Sequence, residues 1–288
     1  MDDIFSYDEI IGRLRDFFRN KKGFVEVPAQ SRVSILAACE DPSTVTSFKV
    51  GGEIFPLPQT GQMWLEHELL KNPHLKGVFC VTTSYRDEKN IIPGRHDRVF
   101  PMFEFESLGG FEDLKKIVSQ LLEHLGFEKP MEVNYEDMSR KYGAKILEAE
   151  HEEKIGRDYG DTVMLTKFPL RTHPFWNMKH AGEGLFNKLD VLLCGMETIG
   201  SAERSSSVEE MREGFKIISN GGYAQLLFDS FGEERVMQEL ENYLLHRMVT
   251  RFGGGIGVTR LARVMKKKGL LKNTYGNIMA NEVATFNN

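Results

Sequence analysis

Residues 85–107 alternate arginines, carboxylates and aromatic rings in the sequence YRDEKNIIPGRHDRVFPMFEFES. Arg86 and Arg95 carry planar guanidinium groups whose donors match phosphate or carboxylate oxygens. Glu88 can accept a hydrogen bond from an amino group such as that of adenine, and Phe100 offers a flat face for stacking. A site for a polyphosphate, an aromatic base and an amino acid would need these residue types. A solvent-exposed hairpin with weak cross-strand ion pairs is the alternative that composition alone leaves open.

The alternation in this stretch predicts which side chains lie together. If both halves are strands, residues two apart share a face, so Arg86 and Glu88 are expected on one face. On the returning strand, Glu104 and Glu106 are expected on the face of Phe100. A buried carboxylate on such a face is the natural partner of a substrate ammonium group.

A glycine-rich segment, GGGIGVTR over 253–260, is a second candidate for ligand binding. The pattern predicts a strand, a glycine-rich turn and a helix whose first turns carry Arg260. Glycines let a backbone approach a ligand closely, and a helix N-terminus favours phosphate. The segment lacks the Lys-Ser/Thr ending of a P-loop. An ordinary turn before a helix is the alternative for this segment alone.

Asp190, Glu197 and Arg204 follow one another at intervals of seven in DVLLCGMETIGSAER. Two carboxylates near a phosphate are suitable ligands for Mg²⁺, which prefers oxygen. A strand-end cap for Asp190 and an ordinary surface role for Arg204 are the alternatives.

The composition of the whole chain narrows its class. The 288 residues are 41% hydrophobic and 27% charged, which is typical of a globular protein with a core. The net charge of -5 argues against binding of polyanions by bulk attraction. Cys39, Cys80 and Cys194 lie far apart, which indicates neither a disulfide framework nor a metal cluster and favours a cytoplasmic location. No signal peptide or membrane span is expected.

The periodicity places helices around a central group of strands. Helices are predicted before Gly23, over 63–72 and over 111–127, and strands over 76–88 and 98–110. This grouping favours an α+β domain on an antiparallel sheet. Residues 128–161 are assigned only a helical insertion, in which 148–158 is helix or loop. The polar residues 273–288 are expected to be disordered or to cover a partner subunit.

Taken in order, three segments resemble the motifs of the class II aminoacyl-tRNA synthetase catalytic core, in the subgroup for aspartate, asparagine and lysine. Residues 7–28 resemble motif 1, residues 82–107 resemble motif 2 and residues 252–264 resemble motif 3. The chain is also similar to the tRNA-free asparagine synthetase A and its archaeal counterpart. The resemblance implies one α+β domain over 1–288, with an antiparallel sheet flanked by helices and a homodimer formed through motif 1.

The resemblance also implies the site and its cofactors, ATP and Mg²⁺. Arg86 would bind the α-phosphate and the substrate carboxylate, and Arg260 would lie near the γ-phosphate on the other face of adenine from Phe100. Arg86 and Arg260 are thus the catalytic pair. The resemblance also implies that Glu88 recognises adenine and that Arg95 and His96 bind the outer phosphates. Asp190 and Glu197 would bind Mg²⁺. Gln62 and Glu104 would contact the α-amino group of the substrate, and Arg204 would recognise its side chain.

At three positions the chain differs from the aspartate enzymes of the subgroup. Leu65 stands where they carry a lysine, and Met102 and Glu104 replace a Gln and an Asp, as in the asparaginyl enzymes. Leu65 gives no positive charge to a substrate carboxylate, which favours an asparagine-like pocket. Arg204 alone can hold either a carboxylate or a carboxamide, so aspartate and asparagine both stay open as substrates.

The segment before motif 1 gives a further expectation. Because motif 1 begins by Tyr7, there is no room for the N-terminal anticodon-binding OB-fold of the subgroup. We therefore expect a free-standing ligase that activates aspartate or a related acid and passes the acyl group to ammonia or another small nucleophile, with tRNA not the expected acceptor. Transfer to a tRNA or protein acceptor, and a non-catalytic nucleotide-binding module, are the alternatives.

Overall fold

Strands from both halves of the chain form one large sheet, which organises the fold. The computed structural model describes residues 3–29, 33–37, 42–89 and 91–271. Within these residues, nine strands pair in the order β1-β4-β5-β11-β10-β9-β7-β6, with β8 against β9, and β2 pairs with β3 separately. The strands are β1 (Val25–Glu26), β2 (Ser47–Val50), β3 (Glu53–Pro56), β4 (Gly77–Tyr85), β5 (Val99–Leu108), β6 (Met131–Asn134), β7 (Thr162–Pro169), β8 (His180–Gly182), β9 (Leu185–Leu193), β10 (Met196–Arg204) and β11 (Arg251–Gly257).

Helices cover both faces of this sheet. The first continues into a π-helical turn over Asp16–Lys21. The helices are α1 (Ile4–Arg15), α2 (Ser34–Ala37), α3 (Gln62–Lys71), α4 (Phe111–Leu125), α5 (Tyr135–Tyr142), α6 (Ala149–Tyr159), α7 (Val208–Ile217), α8 (Gly222–Phe231), α9 (Glu233–Leu244) and α10 (Val258–Lys267).

The sheet is antiparallel through its centre. Strands β5, β11, β10 and β9 pair antiparallel, whereas the outer pairs β1·β4 and β6·β7 are parallel. The predicted antiparallel sheet flanked by helices is confirmed.

One face of the central strands carries the aromatic core. Phe103 and Phe105 on β5 stack on Phe18, with ring centroids 5.2 and 4.8 Å away, and Phe103 also stacks on Phe79 of β4 at 5.2 Å. Helices α1, α4 and α10 close this core with their apolar faces. Because side chains alternate along a strand, the even-numbered residues of β5 point to the opposite face. That face is therefore left for polar side chains.

The strand, loop and returning strand predicted for residues 82–107 are present as β4, a connecting loop and β5, which pair antiparallel. The predicted strand placement of two side chains is wrong, however. Strand β4 ends at Tyr85, so Arg86 and Glu88 lie in the loop. The amide of Arg86 still pairs with the carbonyl of Arg98 at 2.8 Å. The even-numbered residues of β5 do share a face, as predicted.

The glycine-rich segment is a central strand and not the predicted turn. Gly253 is paired with Glu106 of β5 on one side and with Ala202 of β10 on the other. A Cβ at Gly253 would lie 1.7 Å from Glu106 Oε2, and one at Gly255 would lie 2.8 Å from Met102 Cε. Glycine is required because side chains of β5 lie across this strand. The predicted helix follows directly as α10, with Arg260 in its first turn.

The region assigned only a helical insertion has more structure than predicted. It contains α5 and α6, and it also contributes β6, which extends the sheet beside β7. Residues 149–159 form α6, so the helix is the correct alternative for the charged segment. Cys80 and Cys194 are free thiols, while Cys39 and residues 273–288 lie outside the described residues.

Among the residues that the structure describes, none of the helices combines the length and the apolar character needed to traverse a bilayer.

Replacement of Gly253 by alanine tests the crossing over β11. Because the new methyl group would overlap the Glu106 carboxylate, we expect Gly253→Ala to lower the free energy of unfolding by about 1–3 kcal/mol, measured by urea denaturation. Gly12 of α1 has no atom within 4 Å of an added Cβ. Gly12→Ala is the control and should stabilise the protein by about 0.5–1 kcal/mol. A Gly253→Ala midpoint at or above that of the wild type would contradict this packing.

Candidate active site

A cavity of about 320 Å³ lies over the polar face of the central strands. Its walls come from the even-numbered side of β5, from β10 and β11, from the first turns of α3 and α10, and from the loop after β4. All the predicted site residues are described, and all except Asp190 line this cavity: Gln62, Arg86, Glu88, Arg95, His96, Phe100, Glu104, Glu197, Arg204 and Arg260.

One wall combines an arginine with an aromatic ring. The guanidinium carbon of Arg86 lies 5.5 Å from the centroid of the Phe100 ring. In the same loop, His96 Nδ1 lies 3.4 Å from Glu88 Oε2, and Arg98 Nε donates to the Glu88 carbonyl at 3.2 Å. This wall can offer a ring face, a carboxylate and a guanidinium to one ligand.

Arg260 connects three segments at the other wall. Its Nε donates to the carbonyl of Arg95 at 3.1 Å, and its Nη1 donates to the carbonyl of Glu197 at 2.9 Å. The carboxylate of Glu197 lies 3.8 Å from the same guanidinium. The first turn of α10 therefore holds the loop after β4 and the start of β10 at one point.

Arg95 and Glu197 also meet a carboxylate that the sequence did not indicate. Glu152 of α6 forms an ion pair with Arg95 and accepts the backbone N–H of Glu197 at 3.0 Å. Burial raises the pKa of Glu152, and the nearby Glu197 carboxylate raises it further, whereas the N–H of Glu197 and Arg95 oppose the shift.

Asp190 and Glu197 flank the same glycine from neighbouring strands. A Cβ at Gly200 would lie 3.2 Å from Glu197 Oε1 and 3.7 Å from Asp190 Oδ1. Asp190 Oδ2 is 3.5 Å from Lys188 Nζ. Among the described residues, no group of three or more His, Cys, Asp or Glu side chains could hold a metal ion. Two carboxylates suit Mg²⁺ only when phosphate oxygens complete its coordination.

The floor of the cavity is a buried network of charged side chains centred on Arg204, which is 2% exposed. Its Nε and Nη2 each lie 3.2 Å from a different oxygen of Glu106, and Nη2 also donates to Gln62 Oε1 at 3.2 Å. Glu66 Oε1 lies 3.3 Å from Arg204 Nε. Arg204 is therefore surrounded by acceptors before any ligand binds.

Behind this floor, Glu66 joins Arg204 to a second buried arginine. Arg251 donates from Nε and Nη2 to Glu66 Oε2 at 3.0 and 2.7 Å. The hydroxyl of Tyr243 donates to the same oxygen at 2.7 Å, and Asn177 donates to Oε1 at 2.8 Å. Sequence reasoning missed Glu66 and Arg251. Glu66 could have been found from its position four residues after Gln62 on one helix face, but no local signal singles out Arg251.

The three carboxyl groups of the cavity floor, Glu66, Glu104 and Glu106, differ in their pKa. Burial raises the pKa of Glu106 to about 8; Arg204 opposes the rise and Glu66 adds to it. Burial also raises the pKa of Glu104, although Thr60 Oγ1 and the N–H of Gly61 donate to it. For Glu66, burial would raise the pKa, but Arg251 and Arg204 together outweigh it and the pKa is lowered. Glu66 is thus the ionised partner of the arginines, whereas Glu106 holds its proton more tightly than an ordinary glutamate.

Comparison with known proteins shows where this fold occurs. A family model described as tRNA synthetases class II (D, K and N) matches residues 3–275. No curated protein matches the chain. Asparaginyl-tRNA synthetase from Pyrococcus horikoshii complexed with asparaginyl-adenylate superposes with a TM-score of 0.72 at 19% identity, over 91% of this chain and 64% of that one.

Two structures from Entamoeba histolytica are also similar. Its asparaginyl-tRNA synthetase in complex with asparaginyl-adenylate gives a TM-score of 0.70 at 18% identity, over 90% of this chain and 62% of that one. The aspartyl tRNA synthetase of the same organism superposes with a TM-score of 0.64 at 18% identity, over 90% of this chain and 54% of that one. This chain thus spans less than two thirds of the length of each of these relatives. The family model covers nearly the whole chain, and the chain belongs to the class II tRNA synthetases of the D, K and N group.

Proposed function

We propose that the chain activates an amino acid of the aspartate and asparagine type with ATP, forming an aminoacyl-adenylate. The observation that carries this proposal is the meeting of Arg86, Arg95 and Arg260 with Phe100 around one cavity of about 320 Å³ over a floor of buried carboxyl groups. Guanidinium groups on the walls suit a polyphosphate, and a ring face suits a base. A carboxyl floor suits an amino acid with its ammonium group.

In the proposed reaction, a carboxylate oxygen of the amino acid attacks the α-phosphorus of ATP in line. A new phosphorus–oxygen bond forms while the bond to the β-phosphate bridge breaks, and pyrophosphate leaves with its electron pair. Arg86 neutralises charge at the α-phosphate, and Arg260 and Arg95 neutralise charge at the outer phosphates. No protein group needs to accept a proton. Positioning and charge neutralisation supply the acceleration.

Mg²⁺ bound to the nucleotide would be held by Glu197, which lines the cavity, and by Asp190 behind it. The ion would withdraw charge from the phosphates. The pairing of Asp190 with Lys188 makes Glu197 the principal protein ligand in this proposal.

The amino acid would lie over the floor, with its ammonium group near Glu104 and Gln62 and its side chain towards Arg204. Leu65 is fully buried in a small apolar cluster and does not face the cavity. Arg204 shares its charge with Glu106 and Glu66. These features support a side chain that accepts from Arg204, which both a carboxamide and a carboxylate can do.

For the second step, we propose transfer of the acyl group to ammonia or another small nucleophile, as in the aspartate–ammonia ligases. The net charge of -5 supports this choice because it provides no bulk attraction for tRNA. Transfer to a tRNA is the alternative, and membership of a tRNA synthetase family favours it. A nucleotide-binding module without catalysis is the third candidate.

We also propose a cytoplasmic homodimer formed through motif 1. Val25 on β1 supports this because it is a large apolar side chain of motif 1 that is 44% exposed.

Arg260→Ala tests the phosphate role. We expect a fall of about 100-fold or more in ATP–pyrophosphate exchange with the cognate amino acid, because a cation facing the transferred charge is removed. Arg263→Ala is the matched control, since Arg263 lies one turn later on α10 and contacts the loop through Gly94 and Asp97. Exchange by Arg260→Ala at the wild-type rate, or no exchange by the wild type with any amino acid, would contradict the proposal.

The acceptor is tested by product analysis. With aspartate, ATP and ammonium ions, the ligase should release AMP and asparagine in equal amounts, and omission of ammonium should stop both. Exchange without ammonium-dependent product, together with acylation of added tRNA, would instead establish the alternative.

The pKa of Glu106 predicts a pH dependence of amino-acid binding. As pH rises through about 8, Glu106 loses its proton and becomes a second negative charge beside Arg204. The KM for an acidic substrate should therefore rise several-fold above pH 8, with less change for a carboxamide and none in the KM for ATP. Glu106→Gln stays neutral and should abolish the rise. An identical pH profile in Glu106→Gln would refute this role.

A further inference from the structure

Glu152 of α6 connects two walls of the cavity from outside it. One oxygen, Oε2, pairs with the Arg95 guanidinium and accepts the backbone N–H of Glu197 at 3.0 Å. The Glu152 side chain is only 16% exposed, and the Arg95 side chain 14%. Glu152 is not a lining residue, so its link to the cavity runs through Arg95 and Glu197.

The position of Glu152 is set by close backbone packing. A Cβ at Gly156 of α6 would lie 2.8 Å from the backbone of Gly195, and a Cβ at Gly195 would lie 2.9 Å from the Cα of Glu153. Gly195 has a φ of 76°, a conformation that glycine adopts at no steric cost. The helix is thus held against the turn between β9 and β10 from Glu152 to Gly156.

Arg95 is held from several directions by these contacts. Its Nη1 donates to the Gly195 carbonyl at 3.4 Å, and its own carbonyl accepts from Arg260 Nε at 3.1 Å. A guanidinium has five N–H donors, so contacts with Glu152 and Gly195 leave donors for a phosphate. Glu152 therefore orients Arg95 and does not consume it.

We propose that Glu152 is a positioning residue for ATP binding: it orders the 91–98 loop at the cavity wall and aims Arg95 at the outer phosphates. The inference rests on the proposed function, because it gives Arg95 a phosphate to bind. An arginine whose orientation is fixed before binding loses less conformational entropy when the nucleotide arrives.

The chain offers a close control for this role. Glu153 is adjacent on α6, but it is 58% exposed on its side chain and its Oε1 lies 4.0 Å from Arg95 Nη1. An exposed pair at this distance contributes little. A general effect of charge near the cavity would involve both residues, whereas positioning by contact requires only Glu152.

The test compares Glu152→Met, which fills a similar volume without an acceptor, with Glu152→Gln and Glu153→Gln. The measurements are the Kd for Mg·ATP by calorimetry and amide hydrogen exchange of the 91–98 loop without ligand. We expect Glu152→Met to raise the Kd about tenfold and to speed exchange in the loop. Glu152→Gln keeps an acceptor oxygen, so its Kd for Mg·ATP should stay within about threefold of the wild-type value. The Kd of Glu153→Gln should equal that of the wild type.

A double-mutant cycle separates positioning from a general structural effect. If Glu152 acts through Arg95, Arg95→Met combined with Glu152→Met should bind Mg·ATP no more weakly than Arg95→Met alone. Additive losses, or a wild-type Kd and wild-type loop exchange in Glu152→Met, would overturn the inference while leaving the proposed function intact. Absence of Mg·ATP binding by the wild type would overturn both. If Glu152→Met does not fold, Glu152→Ala takes its place in both measurements, with the same expected results.

Discussion

The site depends on a carboxyl group that crosses over a run of glycines in a central strand. Glu106 on β5 reaches Arg204 on β10 by passing over Gly253 of β11, the strand between them. A Cβ at Gly253 would lie 1.7 Å from the Glu106 carboxylate, so any other residue there would block the contact. The glycines of this segment therefore open space for side chains of neighbouring strands, and this space becomes the floor of the cavity.

Such a floor is costly to bury, and its charges are arranged to offset that cost. Glu66 lies between Arg204 and Arg251, and Tyr243 and Asn177 donate to its remaining lone pairs. Removal of one partner from a buried network of this kind costs several kcal/mol, because an uncompensated charge is left behind. The pKa values agree with this arrangement. Two arginines lower the pKa of Glu66, whereas burial raises the pKa of Glu106. The network fixes Arg204 in one orientation at the floor of the cavity.

Arg260 and Glu152 join the walls of the cavity to one another. Arg260 donates to the backbone carbonyls of Arg95 and Glu197, and Glu152 accepts the N–H of Glu197. In the proposed reaction, the amino acid lies over the buried network and the nucleotide lies between these walls.

Local patterns in the sequence determined the faces of the central strands, the family and most of the candidate site residues. Alternation along residues 99–108 separates the core residues Phe103 and Phe105 from Glu104 and Glu106, because a strand has a period of two. The order of three charged segments indicated the family, and ten of the eleven predicted site residues line the cavity. Chemical type and strand period are local properties, so they can be inferred without the fold.

Contacts between distant segments were decided only by the tertiary structure. Glycine runs are typical of turns, and only the side chains of β5 and β10 show why this one is a central strand. Arg251 pairs with Glu66 across 185 residues, and Glu152 meets Arg95 from a helix that the sequence left without a role. Which charges share a buried site depends on packing across the whole chain, and no local pattern carries that information.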